Sequence, residues 1–306
     1  MKLSTSAFYD RTINQLSNGH KSVADLQAKL ATGKEVLRPS DAPEKSAMIL
    51  RIKSALEQQN SFERNLNSVL DRMSGEEIVM QASSDLMQRV ITLGVQASNV
   101  TLAPESRELV ALEIASIRDE LLQLANHKDA NGHYTFAGSK IDTQPFVDDG
   151  TGTIAYAGDS SRVTVNVSEF REITIKKPGN EVFTAVIRDD GGVDTRKSFF
   201  AVLDDFEAAI LSNDSDAIST GFAEVKSINE GLARSLTDIG SRIASVENQR
   251  EIIEDTKVRY QTLLSQEEDL DYATAVTRLS QEMLALESAQ ASFAQIAQLS
   301  LFNYLR

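Results

Sequence analysis

The residues best suited to metal chemistry gather just after position 126. His127, Asp129 and His133 lie within seven residues, and Asp142 follows nearby. Imidazole and carboxylate groups in this number could bind a metal ion. They straddle a predicted helix end and a glycine turn, however, and they lack the paired spacing of a zinc-binding helix. The sequence therefore predicts no metal site and no cofactor.

The other acidic clusters have explanations that need no catalysis. An acidic run at 267–271 precedes the last predicted helix, and we expect it to complement the positive end of that helix dipole. The Asp-Asp-Gly turns at 148–150 and 189–191 lack the oxygen spacing of an EF-hand loop. The chain has no cysteine, and no Ser-His-Asp set or phosphate-binding glycine loop is visible. We therefore expect a protein that is not an enzyme.

Composition narrows the classes of partner. The chain has 306 residues and a formal net charge of −14, from 45 acidic and 31 basic residues. Binding to phosphate needs clustered Lys and Arg, so we expect neither nucleic acid nor a membrane surface as a partner. The N-terminus lacks the apolar run of a signal peptide, and the apolar segment at 291–305 is shorter than a membrane span.

Apolar residues at heptad spacing mark both ends of the chain. Leu16, Val23 and Leu30 are seven residues apart, and apolar residues between 272 and 293 recur at steps of about three and four. This pattern predicts two amphipathic helices that need a partner, either as a bundle core or as an assembly seam. The candidate assembly interface consists of Ile13, Leu16, Val23, Leu26, Leu30, Tyr272, Val276, Leu279, Met283, Leu286, Phe293, Ile296 and Leu299.

Helical periodicity continues inward from the N-terminal stripe. The turn at 38–44 begins a helix that we expect to end near Met73, with a break at Gly75 and a further helix over 79–97. Pro104 begins the next helix. Its predicted seam consists of Val110, Ile114, Ile117, Leu121 and Leu124.

The middle of the chain has a different pattern. Alternating and β-branched residues predict strands at 162–167, 172–175 and 181–187. Helical periodicity returns at Phe199, and we expect a break at Gly240 before another helix. The predicted order along the chain is therefore helices, a β insertion and then helices again.

These elements predict a mainly α fold with a β insertion. We expect an elongated helical bundle or coiled-coil rod, formed by the N- and C-terminal halves, with a small central β domain. The predicted assembly segments are 1–44 and 265–306, which pair with each other. The two halves of the rod are 45–131 and 197–264, and the β domain is 132–196.

Particular segments resemble the flagellin family. LATGKEVLRPSDAP at 30–43 is similar to the family's N-terminal turn, GSRIASVENQR at 240–250 to its returning helix, and residues 269–305 to its C-terminal helix. GHYTFAGSKIDTQPF at 132–146 resembles the members that join hook to filament. Filament flagellins usually have a Ser-Gly-Leu-Arg-type segment where this chain has Thr-Gly-Lys-Glu at 32–35, and their central insertion is generally larger.

The resemblance implies a structural subunit of the bacterial flagellum that works outside the cell in motility. Such proteins are exported by the flagellar type III apparatus without a cleaved signal peptide. Their terminal segments stay largely disordered until they pair as a coiled coil in the assembly. The implied partners are further copies of the chain in a ring, hook-associated protein 1, flagellin, the filament cap protein and an export chaperone.

Two alternatives stay open from the sequence. A flagellin-type filament subunit would share the terminal helices. A soluble intracellular coiled-coil adaptor would also share them, but it would not need the segment at 291–305 to be apolar to its last turn.

Overall fold

Helix is the main element of the chain. The computed structural model describes residues 2–99, 101–148, 153–168, 171–189 and 194–304. The helices are α1 Lys2–Thr32, α2 Pro43–Ala97, α3 Pro104–Ala125, α4 Gly179–Val182, α5 Phe199–Ser212, α6 Ser215–Glu268 and α7 Tyr272–Tyr304. The strands are β1 Phe146–Asp148, β2 Ile154–Tyr156, β3 Val163–Ser168, β4 Arg171–Lys176, β5 Val186–Asp189 and β6 Asp194–Lys197. The predicted fold class, mainly α with a β insertion, is confirmed.

Helices α2 and α6 show that two predicted breaks are wrong. Helix α2 continues through Gly75, and helix α6 continues through Gly240. A Cβ at either glycine would meet nothing within 4 Å, so no close contact requires a glycine there. An interior glycine costs a helix only about 1 kcal/mol relative to alanine. Packing along helices of 55 and 54 residues offsets that cost.

The β insertion is built from two-stranded antiparallel pairs. In the described residues, β1 pairs with β2, β3 with β4, and β5 with β6. Strands β3 and β4 confirm two of the predicted strands. The strand predicted at 181–187 is wrong in its first half, because one helical turn, α4, ends at Val182 and β5 begins only at Val186. Val182 and Phe183 are buried there, so their apolar side chains indicated burial and not extended backbone.

The chain divides into two compact units. Unit 1 comprises residues 1–59 and 255–306, and unit 2 comprises residues 60–254. The long helices α2 and α6 each contribute a segment to both units. The domain boundaries expected from the sequence stay predictions.

Unit 2 has a closely packed core. The predicted seam of α3 is confirmed, since Val110, Ile114, Ile117 and Leu121 are buried and Leu124 packs partly buried against the same core. A Cβ at Gly94 would lie 2.5 Å from Cδ2 of Phe222. The glycine therefore lets the rings of α5 and α6 approach the backbone of α2. The largest fully buried side chains include Leu66, Met73, Met80, Met87, Leu93, Phe136, Phe199, Phe200, Leu203 and Phe206.

Polar anchors hold the β pairs to the helices of unit 2. The Asn126 side chain accepts from the backbone N–H of Phe146 and donates to its carbonyl, both at 2.9 Å. Arg188 on β5 pairs with Glu224 at 2.5 Å and with Asp205 at 2.7 Å. The hydrogen bond to Glu224 is the main reason that the pKa of Arg188 is raised. These contacts fix β1 to the end of α3, and β5 to α5 and α6.

Candidate assembly interface

Helices α1 and α7 pack against each other in unit 1. The rings of Tyr9 and Phe293 meet edge to face, with centroids 5.5 Å apart and an interplanar angle of 84°. A Cβ at Gly19 would lie 3.1 Å from Cδ1 of Leu286. Tyr9 comes before Gly19 in α1, whereas its partner Phe293 comes after Leu286 in α7. The two helices are therefore antiparallel.

The stripe on α1 is partly covered by this contact. Of its predicted residues, Ile13 is exposed, whereas the other four are partly buried. Those four are Leu16, Val23, Leu26 and Leu30. Gly19 continues the same steps of three and four and leaves room for Leu286. The sequence reasoning missed Gly19, although its heptad position was a signal that could have identified it.

The apolar sector of α7 has two edges. Its middle consists of Leu279, Leu286 and Phe293, which are partly buried. On one side of this middle lie Ala275, Glu282 and Ala289, which are buried or partly buried. We name this side the covered edge. We name the second side the exposed edge, and it consists of Tyr272, Val276 and Met283, which are 50% to 54% exposed. Helix α1 therefore uses only part of the predicted surface.

The remaining predicted positions lie near the end of α7. Ile296 is 42% exposed, and the side chain of Leu299 lies outside the described side chains. Leu284, which the sequence reasoning did not select, is 66% exposed. The assignment of these positions to an assembly interface stays a prediction.

A groove lies beside Met283 of the exposed edge in unit 1. Its volume is about 560 Å³, and Val23 of α1 lines it together with Met283, Leu284 and Leu286 of α7. Ser280, Glu287 and Gln290 form its polar rim. The groove thus has an apolar floor and polar borders, a pattern that is typical of protein contacts.

Glu268 links three segments of unit 1. Its carboxylate lies 2.6 Å from Nζ of Lys34 and 2.9 Å from Nζ of Lys53. The hydrogen bond from Lys34 contributes most to lowering the pKa of Glu268, and Lys53 adds to it. The backbone carbonyl of Glu268 also accepts from the N–H of Glu35 at 2.8 Å. We call this set of contacts the Glu268 clasp.

The acidic run at 267–271 does not lie as predicted. Glu267 and Glu268 belong to the last turn of α6, so only Asp271 acts at the start of α7. Asp271 Oδ1 accepts from the N–H of Ala273 at 3.0 Å and of Thr274 at 3.2 Å. The Thr274 hydroxyl, which donates to Oδ2 at 2.7 Å, contributes most to lowering the pKa of Asp271. Asp271 is thus an N-cap.

The residues considered for a metal site form a turn. Asp129 Oδ1 accepts from the N–H of Asn131 at 2.9 Å and of His133 at 3.0 Å. His127 Nδ1 lies 3.2 Å from the hydroxyl of Thr135. In the part of the chain that the structure describes, no group of three or more metal-ligating side chains is arranged to hold an ion. In the same part, no helix has the length and apolar character needed to cross a membrane.

Comparison with known proteins supports the resemblance to flagellar proteins. Residues 3–141 match the family described as bacterial flagellin N-terminal helical region. The chain is 26% identical over 320 residues to flagellar hook-associated protein 3 of Salmonella typhimurium, and the match covers 100% of both chains.

Solved structures agree on the fold. A putative flagellar hook-associated protein from Vibrio parahaemolyticus superposes with a TM-score of 0.67 at 18% identity, covering 75% of this chain and 100% of that one. FlgL from Xanthomonas campestris superposes with a TM-score of 0.62 at 20% identity, covering 71% of this chain and 99% of that one. The resemblance found in the sequence is confirmed: residues 3–141 match the flagellin N-terminal helical region, and the chain is similar along its whole length to flagellar hook-associated protein 3.

Proposed function

We propose that this protein is a structural subunit of the bacterial flagellum that joins the hook to the filament. The main support is its similarity to flagellar hook-associated protein 3 over 100% of both chains. That match includes both terminal helices, which form the antiparallel pair of unit 1. The proposed role requires assembly, and it requires no catalytic group and no cofactor.

The exposed edge of α7 is the structural observation that carries the assembly step. Tyr272, Val276 and Met283 leave about half of their surface uncovered, although they adjoin residues that pack on α1. Burying a whole apolar side chain contributes about 1.5 to 3 kcal/mol, so covering these three would contribute a few kcal/mol. Association itself costs at least that much. Such a contact becomes stable only when several copies repeat it, as in a ring.

The proposal extends to partners and location. Copies associate through the exposed edge into a ring that rests on hook-associated protein 1. Flagellin adds to the ring beneath the filament cap protein. The type III apparatus exports the chain without a cleaved signal peptide, an export chaperone covers its apolar C-terminal segment beforehand, and its terminal segments, which are only weakly stable in the free chain, become fully ordered in the assembly.

Deletion of the gene tests this function directly. Electron microscopy of the mutant cells should show hooks without filaments, and flagellin should accumulate in the medium because it has no base on which to polymerise. Restoring the intact gene should restore the filaments. If the chain were itself the filament subunit, the main filament protein would be missing from the medium. Normal filaments and motility in the mutant would contradict the proposal and favour an intracellular adaptor.

A further inference from the structure

Unit 2 has a cavity at the end where α3 begins. Its volume is about 480 Å³. Leu102, Pro104 and Leu211 form its apolar part, and Arg107 and Asn213 contribute polar groups. Pro104, Leu211 and Asn213 are exposed, so the cavity opens to solvent and a ligand can enter it. We name this space the end cavity.

Arg107 brings a buried positive charge to the end cavity. The residue is only 6% exposed, and its Nη2 atom donates to the carbonyl of Leu102 at 3.3 Å. Its Nε and Nη1 atoms have no hydrogen-bond partner among the described residues, yet they keep access to solvent. Arg118 and Arg188 of the same unit, by contrast, each pair with a carboxylate. A buried charge needs such a partner, and no carboxylate of the described residues supplies one to Arg107.

The first turn of α3 offers further donors beside Arg107. Its N-cap residue is Ala103, which has no side chain that could cap the helix. The N–H groups of Glu105 and Ser106 donate to no acceptor of the described residues. A helix N-terminus carries a partial positive charge, and free N–H groups of this kind bind anions. The helix start and the guanidinium group together favour an anion.

The other walls of the end cavity select the kind of anion. Glu105 and Glu108 also line it and are exposed. Their charges oppose a ligand with two negative charges, such as phosphate. The side-chain amide of Asn213, the C-cap residue of α5, is a further donor for an oxygen atom. Because the remaining walls are apolar, the chemistry fits a single carboxylate on an aliphatic chain.

We propose that the end cavity binds one carboxylate group carried by a short aliphatic chain. The carboxylate pairs with the free N–H groups of Arg107 and of the first turn of α3, and the aliphatic chain packs against Leu102 and Leu211. Two sources provide this chemistry: an acidic side chain of another copy of this chain, and a small free carboxylate. The site does not rest on the proposed flagellar role, because its binding is measured on the purified chain.

Titration of the full chain with 4-methylpentanoate, followed by NMR chemical shifts, tests this site. We expect saturable shifts at the backbone amides of residues 105–108 and 211–213. The amide 4-methylpentanamide has a similar shape without the charge and should bind about tenfold more weakly, the effect of losing one charge-assisted contact. Inorganic phosphate should also bind more weakly, because the two glutamates repel its second charge. No saturable shift, or shifts confined to other parts of the chain, would overturn the proposal.

A substitution of Arg107 shows whether its charge holds the ligand. Arg107→Gln should weaken 4-methylpentanoate about tenfold and leave 4-methylpentanamide unchanged, because only the former carries a charge. Arg64→Gln, at an exposed arginine of α2, is the matched control and should change neither. Equal affinities of 4-methylpentanoate for Arg107→Gln and for the original protein would overturn the assignment.

Two exposed positions decide the question if Arg107→Gln does not fold. Glu108→Gln removes a like charge and should strengthen the binding of 4-methylpentanoate about threefold. Asn213→Asp adds a like charge, should weaken binding by a similar factor, and keeps a residue type that tolerates the left-handed backbone. Asn131→Asp adds the same charge in the turn after α3 and is the control. Unchanged affinities in both Glu108→Gln and Asn213→Asp would overturn the proposal.

Analytical ultracentrifugation of the full chain distinguishes the two sources of the carboxylate. If another copy supplies it, saturating 4-methylpentanoate should compete with that copy and lower the average mass of the sedimenting species. Arg107→Gln should lower the mass in the same way, and Arg64→Gln should not. An average mass that does not respond to 4-methylpentanoate assigns the site to a small free carboxylate.

Discussion

Phe206 in unit 2 and Leu286 in the helix pair of unit 1 are both apolar residues at helical spacing, but their surroundings differ. Phe206 is completely buried and stacks with Phe222 at 6.3 Å between centroids. Leu286 is partly buried, and Met283 beside it is half exposed. Unit 2 thus covers the apolar side chains of its core within one chain, although Leu109 and Leu112 on its surface stay 67% exposed. The α1 and α7 pair does not, so we assign stability mainly to unit 2 and assembly to α7.

The largest effect on this contrast should come from Phe206→Ala. Removing a fully buried phenylalanine should lower the free energy of unfolding by about 3 to 5 kcal/mol, because burial and packing are both lost. Chemical denaturation followed by circular dichroism measures this loss. Leu109→Ala, at a side chain that is 67% exposed, is the control and should change stability by less than about 0.5 kcal/mol. Similar effects of the two substitutions would remove the distinction between core and surface in unit 2.

Leu286→Ala should have a smaller and more local effect. A partly buried leucine contributes less than the roughly 2 to 5 kcal/mol of a fully buried one, and we expect a loss near 1 kcal/mol. Hydrogen exchange should become faster in α1 and α7 and stay unchanged in α3. Met283→Ala on the exposed edge should accelerate exchange less than Leu286→Ala does. If α7 and α3 were equally protected from hydrogen exchange in the original protein, this result would contradict our assignment of stability mainly to unit 2.

Glu268→Gln should loosen the clasp without affecting unit 2. The substitution keeps the size of the side chain but leaves Lys34 and Lys53 without its charge. Because the pKa of Glu268 is lowered from 4.5 in the folded chain, its charge stabilises unit 1 above that pH, and this contribution is lost as the pH falls below it. Hydrogen exchange at the α6 and α7 connection should therefore differ from the original at pH 7 and converge at acidic pH. Glu267→Gln is the adjacent control, and an equal effect there would argue against the clasp.

Asp159→Asn should give the smallest effect, on the acid sensitivity of unit 2. Hydrogen bonds from the hydroxyl and N–H of Ser139, and from the N–H of Ser161, lower the pKa of Asp159 from 3.8 to about 2. The ionised group therefore stabilises the fold above about pH 3.8, and this contribution disappears as the pH falls toward 2. In an acid titration, the fraction of folded protein should depend less steeply on pH in Asp159→Asn over this interval. An unchanged slope would show that Asp159 contributes nothing to acid stability.

The sequence was sufficient for the long helices and for β3 and β4, but it did not predict β1, β2, β6 or the turn α4, and it misplaced some boundaries. The α3 seam was predictable because one complete face of that helix is buried. The breaks expected at Gly75 and Gly240 were wrong because the local cost of a glycine is small beside the packing of a long helix. The strand expected from residue 181 was partly wrong because burial and strand formation favour the same apolar residues.

The candidate interface was only partly predictable for a similar reason. Periodicity identified an apolar sector on α7, but it cannot tell which edge of that sector meets α1. The covered edge includes the small Ala275 and the charged Glu282, which hydrophobicity alone does not select. Gly19 contributes space and not apolar area. Contacts that depend on small residues leave little trace in a hydrophobic pattern.

The most direct test of the central claim is a charge on the exposed edge of α7. We would express the double variant Val276→Asp with Met283→Asp in cells that lack the original gene, and count filaments by electron microscopy. Leu109→Asp with Leu112→Asp, at two side chains that are each 67% exposed on α3, is the matched control.

The account predicts export of both variants and unchanged unfolding of unit 2, with filaments on the control cells and bare hooks on the cells that carry the α7 variant. Burying two added carboxylates at the contact would cost more than that contact can supply. Normal filaments on the α7 variant would show that the exposed edge is not the assembly interface and would contradict the account.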